Sequence, residues 1–288
     1  MKPSILIQLD TDPQPSVFDS VVAIDAGADH LLRHGGVTPK AVRDLVHGAL
    51  FTRGADDLHR TAIFVGGSDV EAGEAVFRAV TETFFGDFRV SVLFDANGSN
   101  TTAAAAVLAA VEGAGGSLKG RRVAVLAATG PVGRRVARLL AREGAEVAVG
   151  SRQIDRSGAA ADSLHEATGA RFTPFATGSP EALAGGLEGA EVIVAAGAPG
   201  VVLLPLATRK ALKALRVAID LNAVPPLGIE GVKATDRGAD RDGANAWGAL
   251  GVGATKMKIH KAAIRELFTA RDKRLDAEAV LALGRSLS

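Results

Sequence analysis

The chain has 288 residues, enough for one large or two medium domains, and its 47% hydrophobic and 23% charged residues are ordinary for a globular protein. A formal net charge of +1, with no basic tract interleaved with aromatics, gives no electrostatic case for nucleic acid or an anionic membrane. With no cysteine, disulfides, thiolate nucleophiles and cysteine-held metal are excluded, and no metal site is expected. The opening MKPSILIQLD is too short in its apolar part for a secretory signal, and no run approaches the roughly 18 apolar residues of a membrane span. A cytoplasmic, soluble protein is the expectation.

The first third alternates strand-like and helix-like patterns. Ser4 to Leu9, Ala62 to Val65 and Arg89 to Phe94 read as strands, separated by helical segments such as Glu71 to Phe85. Each strand ends in small and polar residues: Asp10, Thr11 and Asp12, then Gly66 to Asp69, then Asp95, Asn97, Ser99 and Asn100. In a parallel sheet these endings share the carboxyl edge, where open α/β folds bind ligands, although any one of them can equally be a helix cap. An alanine-rich helix, Thr101 to Gly113, and the glycines at 115, 116 and 120 then mark a boundary.

From Arg122 an apolar strand (Val123, Val125, Leu126) breaks into a turn and a helix carrying Val132, Val136, Leu139 and Leu140. Such a turn aims backbone N–H groups and a helix N-terminus at an anion. Its residues Ala128, Thr129, Gly130, Pro131, Val132 and Gly133 fit the dinucleotide fingerprint G-x-G-x-x-G with alanine in place of the first glycine. Strands follow at Glu146–Val149, near 171–175, at Glu191–Ala195 and at Val217–Leu221, with helices between, the order of a doubly wound sheet. About 20 residues past the turn, where an acid usually bonds a ribose 2′-hydroxyl, stand Ser151 and Arg152, with Arg156 a helical turn later. A hydroxyl and guanidinium there favour a 2′-phosphate, hence NADP over NAD. Ala196 and Gly197, and later Asn222, end strands with small or polar groups that would let a flat ring approach. The tail is helical from about Gly253 to Phe268 and from Asp276 to Leu287.

The segments Gln8–His30, Thr61–Asp69, Phe94–Ala105, Leu126–Arg135, Asp220–Gly231 and Gly248–His260 together resemble the bacterial NADP-dependent methylene-tetrahydromethanopterin (methylene-tetrahydrofolate) dehydrogenases over nearly the whole length. The resemblance implies two lobes. One is a Rossmann-type doubly wound parallel sheet at 101–254; the other is a smaller α/β substrate domain at 1–100, completed by C-terminal helices from 255–288. It also implies a homo-oligomer, a trimer, with a pterin pocket between the lobes. Ala128 departs from the family's turn, which begins with glycine.

The reaction implied is hydride transfer from a methylene bridge on a reduced pterin to NADP, giving the methenyl form. A neighbouring nitrogen lone pair stabilises the cation, so the step needs no general base and rests on orientation and exclusion of water. Implied pterin contacts are Ser16, Phe18, Asp19, His30, Asn97, Asn100, Thr102 and His260, with Lys256, one helical turn before His260, as the catalytic influence. The residues also leave open another NADP-linked oxidoreductase, folate-specific or shikimate-type, or a non-catalytic NADP sensor.

Overall fold

The computed structural model describes residues 2–287 and divides into two compact units, Met1–Thr101 with Met257–Ser288, and Thr102–Lys256. In chain order the elements begin with β1 (Ile5–Asp10), α1 (Val17–Asp25), β2 (His30–His34), α2 (Val42–Phe51), β3 (Thr61–Gly66), α3 (Val70–Thr83) and β4 (Ser91–Phe94). Helix α4 (Ser99–Gly113) leads into β5 (Arg122–Leu126), α5 (Pro131–Arg142), β6 (Glu146–Ser151), α6 (Ile154–Thr168), β7 (Phe172–Ala176) and α7 (Pro180–Gly186). Then come β8 (Val192–Ala195), α8 (Leu206–Ala211), β9 (Val217–Asp220), β10 (Arg237–Arg241) and β11 (Ala244–Trp247). Helix α9 (Ala249–Glu266), β12 (Arg274–Leu275) and α10 (Ala277–Arg285) close the chain. Among the described residues no helix is long and apolar enough to cross a membrane.

The first unit holds a five-stranded parallel sheet in the order β12-β4-β3-β1-β2. Strands β1, β3 and β4 are buried almost throughout, as apolar runs covered on both faces must be. Strand β2 (HLLRH) did not stand out in the sequence because it is an edge strand exposed on both faces, with no alternation to detect. The tail contributes more than the helices expected of it: Arg274 and Leu275 pair with Val92 and Leu93 as the opposite edge.

The second unit holds seven strands in the order β10-β11-β9-β8-β5-β6-β7, parallel except for the hairpin of β10 with β11. The α/β class and doubly wound order match expectation; the antiparallel hairpin beyond β9 is an addition. It is anchored by Asp236, whose carboxylate accepts two bonds from Arg241 (2.6 and 2.8 Å) and one from the Lys233 N–H. The Arg241 guanidinium holds the Asp236 carboxyl below its usual range, more than burial raises it. A lowered carboxylate pKa stabilises the fold above the unfolded value of 3.8 and loses that contribution as pH falls through the folded value. Thermal melts of Asp236→Asn should therefore show a lower Tm than the parent at pH 7, with the gap closing as the pH drops below 3.8.

Candidate active site

Strand β5 runs into Ala127, a non-glycine residue in the left-handed region (φ 57°), and the chain then turns into α5. The turn is pinned by two backbone bonds, Ala128 N–H to the Gly150 carbonyl (3.0 Å) and Gly130 N–H to the Ala127 carbonyl (3.2 Å). Pro131 occupies the first turn of α5, where its missing N–H costs nothing, and no side chain caps the helix. Gly133 is required by contact: a Cβ there would lie 2.6 Å from the Ala127 carbonyl oxygen and 2.8 Å from the Ala128 Cα. Ala128 itself is buried, so the methyl that departs from the fingerprint points into the packing, and its neighbour Ala127 is the one that faces the cavity.

That cavity, about 470 Å³, lies at the carboxyl ends of β5, β6, β7 and β8. Its wall combines Ala127 and Thr129 from the turn with Ser151, Arg152, Gln153 and Arg156 beyond β6. Thr177, following β7, and Gly197, Ala198, Val201 and Leu203, following β8, complete it. The arginine segment is held from below by buried Ser157, whose hydroxyl donates to the Val149 carbonyl and accepts from the Phe175 N–H, tying α6 to β6 and β7. Arg152 and Arg156 are exposed and form no ion pair among the described residues. Two like charges on one wall, unneutralised by protein, suit a phosphate. The volume falls in the usual range for small-molecule sites, and the uncapped helix, close-packed glycine and guanidiniums fit a dinucleotide phosphate.

Sequence reading pointed to Ala198 with Gly197 as a small-residue surface but did not single out Ala127, Gln153, Thr177, Val201 or Leu203. Thr177 could have been found as the residue just past a strand, whereas Val201 and Leu203 carry no local signal. Pro131 is exposed at the start of α5 and Val132 half-buried beside it. Ala196 donates its N–H to the Leu126 carbonyl. Asn222 is corrected from cavity contact to loop former: its Nδ2 donates to Pro226 and its Oδ1 accepts from Val224. The adjacent Asp220 accepts from the N–H groups of Asn222 and Ile229, and burial pushes its carboxyl above the usual range.

In the first unit the polar strand ends are largely committed to loops. Asp10 accepts from the N–H groups of Asp12 and Ser16, Asp69 caps α3, and Asp95 accepts from the Asn100 and Thr101 N–H groups and the Thr101 hydroxyl. Ser16 caps α1 through the Asp19 N–H (3.2 Å). Asn100, buried, donates Nδ2 to the Phe94 carbonyl at 2.6 Å and so holds the turn; it is not presented as a surface contact. Asn97 is exposed with φ 52°.

Phe18 is 52% exposed, and behind it His260 is fully buried, stacked on Phe64 (centroids 5.8 Å) and 6.4 Å from Phe18. His260 Nε2 lies 4.0 Å from Asp19 Oδ1. Burial corrects His260: it is not presented to a substrate but lies beneath the exposed Phe18 ring. His30 is also corrected: it pairs with Ile5 at the amino end of the sheet, whereas Ser16, Phe18 and Asp19 follow the carboxyl end of β1. Thr102 and Lys256 are half-buried residues of α4 and α9 in the second unit. No group of three or more potential metal ligands occurs among the described residues.

A Rossmann-type sheet with a glycine turn and a phosphate-suited cavity, accompanied by a second α/β unit, defines a nucleotide-dependent dehydrogenase. Residues 17–97 match the family described as methylene-tetrahydromethanopterin dehydrogenase, N-terminal. The chain is 48% identical over 288 residues to the Bifunctional protein MdtA of Methylorubrum extorquens AM1, covering 100% of both. It is 33% identical over 280 residues, 94% of each chain, to the NAD(P)-dependent methylenetetrahydromethanopterin dehydrogenase of the same organism. Its fold is like that of quinate dehydrogenase from Corynebacterium glutamicum in complex with NAD (TM-score 0.53, 15% identity, 99% of this chain and 100% of that one). The chain belongs to the methylene-tetrahydromethanopterin dehydrogenase family of oxidoreductases.

Because Gly133 leaves no room for a Cβ, Gly133→Ala should cost about 1–3 kcal/mol of stability and weaken nucleotide binding, measured by denaturant unfolding and NADP titration.

Proposed function

We propose that the protein transfers a hydride from the methylene carbon of methylene-tetrahydromethanopterin to NADP, and accepts methylene-tetrahydrofolate as well, giving the methenyl pterin. Family membership supports the reaction. The NADP preference is carried by one observation: Arg152 and Arg156 face the same cavity as the glycine turn, with no carboxylate paired to them among the described residues. Ser151 on the same wall adds a hydroxyl for the 2′-phosphate.

When bound, NADP supplies the hydride acceptor. The chain's residues bind and orient. Thr129, Gly130 and the first turn of α5 hold the pyrophosphate, and Gly197 leaves a surface against which a flat ring can lie. Phe18 offers an exposed aromatic face to the pterin at the carboxyl edge of the first sheet, with Ser16, Asp19 and Asn97 as its polar contacts. His260 and Phe64 support Phe18 from beneath. No proton moves in the hydride step, so no side chain serves as general base; positioning and water exclusion supply the rate. The family resemblance and the cysteine-free chain support a cytoplasmic homotrimer.

Purified protein mixed with NADP and either methylene pterin should generate NADPH absorbance, and NADP binding without NADPH formation from either pterin would reject the proposal. Arg152→Ala should weaken NADP about 10- to 100-fold, the worth of a charge-assisted hydrogen bond, and leave NAD within about twofold. Equal losses for both nucleotides would show that Arg152 does not hold the 2′-phosphate.

A further inference from the structure

A second cavity, about 410 Å³, lies wholly within the first unit between α2 and strands β1 and β2. Its floor is apolar, formed by Ile5, Ile7, Leu32, Leu45 and Ala49. The strand register runs from Ile5 opposite His30 to Leu9 opposite His34, so the groove is about 13 Å long. Its ends differ in charge. His34 and Asp44 stand at one, and Thr52, Arg53 and Thr61 at the other.

Two features of the groove find no explanation in the packing of the unit itself. Gly48 sits mid-helix in α2, the worst non-proline choice there, yet it has no positive φ and a Cβ would meet nothing within 4 Å. Neither backbone nor packing calls for glycine, and what its missing side chain does is keep the groove open. Thr61 Oγ1, in the wall, is buried without a hydrogen-bond partner among the described residues, where buried hydroxyls are normally satisfied. Arg53 donates one N–H to the Arg60 carbonyl (2.9 Å) and makes no ion pair among the described residues; Asp57, whose charge it feels, is paired with Lys2 at 2.9 Å.

We propose that this groove binds a small amphipathic monocarboxylate, its apolar body along Ile5, Ile7, Leu32 and Leu45 and its carboxylate at Arg53 and Thr61. The polarity follows from charge complementarity, because Asp44 repels an anion at the far end and Arg53 attracts one at the near end. The groove shares no residue with the nucleotide cavity, so the inference stands apart from the proposed reaction.

Calorimetric titration of the full-length protein with decanoate, below its micelle-forming concentration, tests it. One site per chain is expected. Gly48→Leu, which fills the groove from an open position, should bind decanoate at least about tenfold more weakly while Tm holds or rises. Arg53→Gln should weaken decanoate about tenfold and leave decanol unchanged. Three results would overturn the inference: no decanoate site in the parent protein, equal affinity in the parent and Gly48→Leu, or self-association that decanoate does not disturb and Leu32→Glu abolishes, which would make a second copy the occupant.

Discussion

The close approach of α5 to the end of β5 is the constraint on which the second unit depends. With no side chain at position 133, the helix backbone lies against the Ala127 carbonyl and the Ala128 Cα, and its N-terminus faces the cavity at the strand ends. Ala128 N–H then bonds Gly150, locking the turn to the strand that delivers Ser151, Arg152 and Arg156. Burial of Ala128 explains how alanine replaces the fingerprint's first glycine: its methyl sits in the core and takes no space from a nucleotide.

The first unit solves a different problem. Parallel strands leave several loops at one edge, each with backbone N–H groups in need of acceptors, and Asp10, Asp12, Asp69 and Asp95 supply them. The polar accumulation that makes this edge look like a binding surface is thus mostly internal scaffolding. Phe18 is a large apolar side chain exposed after β1, with the His260 imidazole 6.4 Å from it and the Phe64 ring stacked on His260.

Legibility tracked burial. Strands β1, β3, β5, β8 and β9 announce themselves as apolar runs because both faces are covered. Edge strand β2, hairpin β10–β11 and the two-residue β12 have no such pattern and exist because a neighbouring strand offers free hydrogen-bonding groups. Among the residues lining the cavity, the arginines beyond β6 were legible from their distance to the glycine turn. His30 and His260 were misleading, because a short motif does not reveal which end of a strand, or which side of a helix, a side chain occupies.

The sequence by itself determined the α/β class, the glycine turn, the placement of Ser151 and Arg152 after the next strand, and the family resemblance, since each is a matter of local pattern and spacing. The tertiary structure alone decided that Ala128 is buried, that Asn100 and Asn222 are spent on their own loops, that His260 lies beneath Phe18, and that Gly48 opens onto a groove. Those facts depend on which segments, far apart in the chain, pack against one another, and local periodicity carries no record of that.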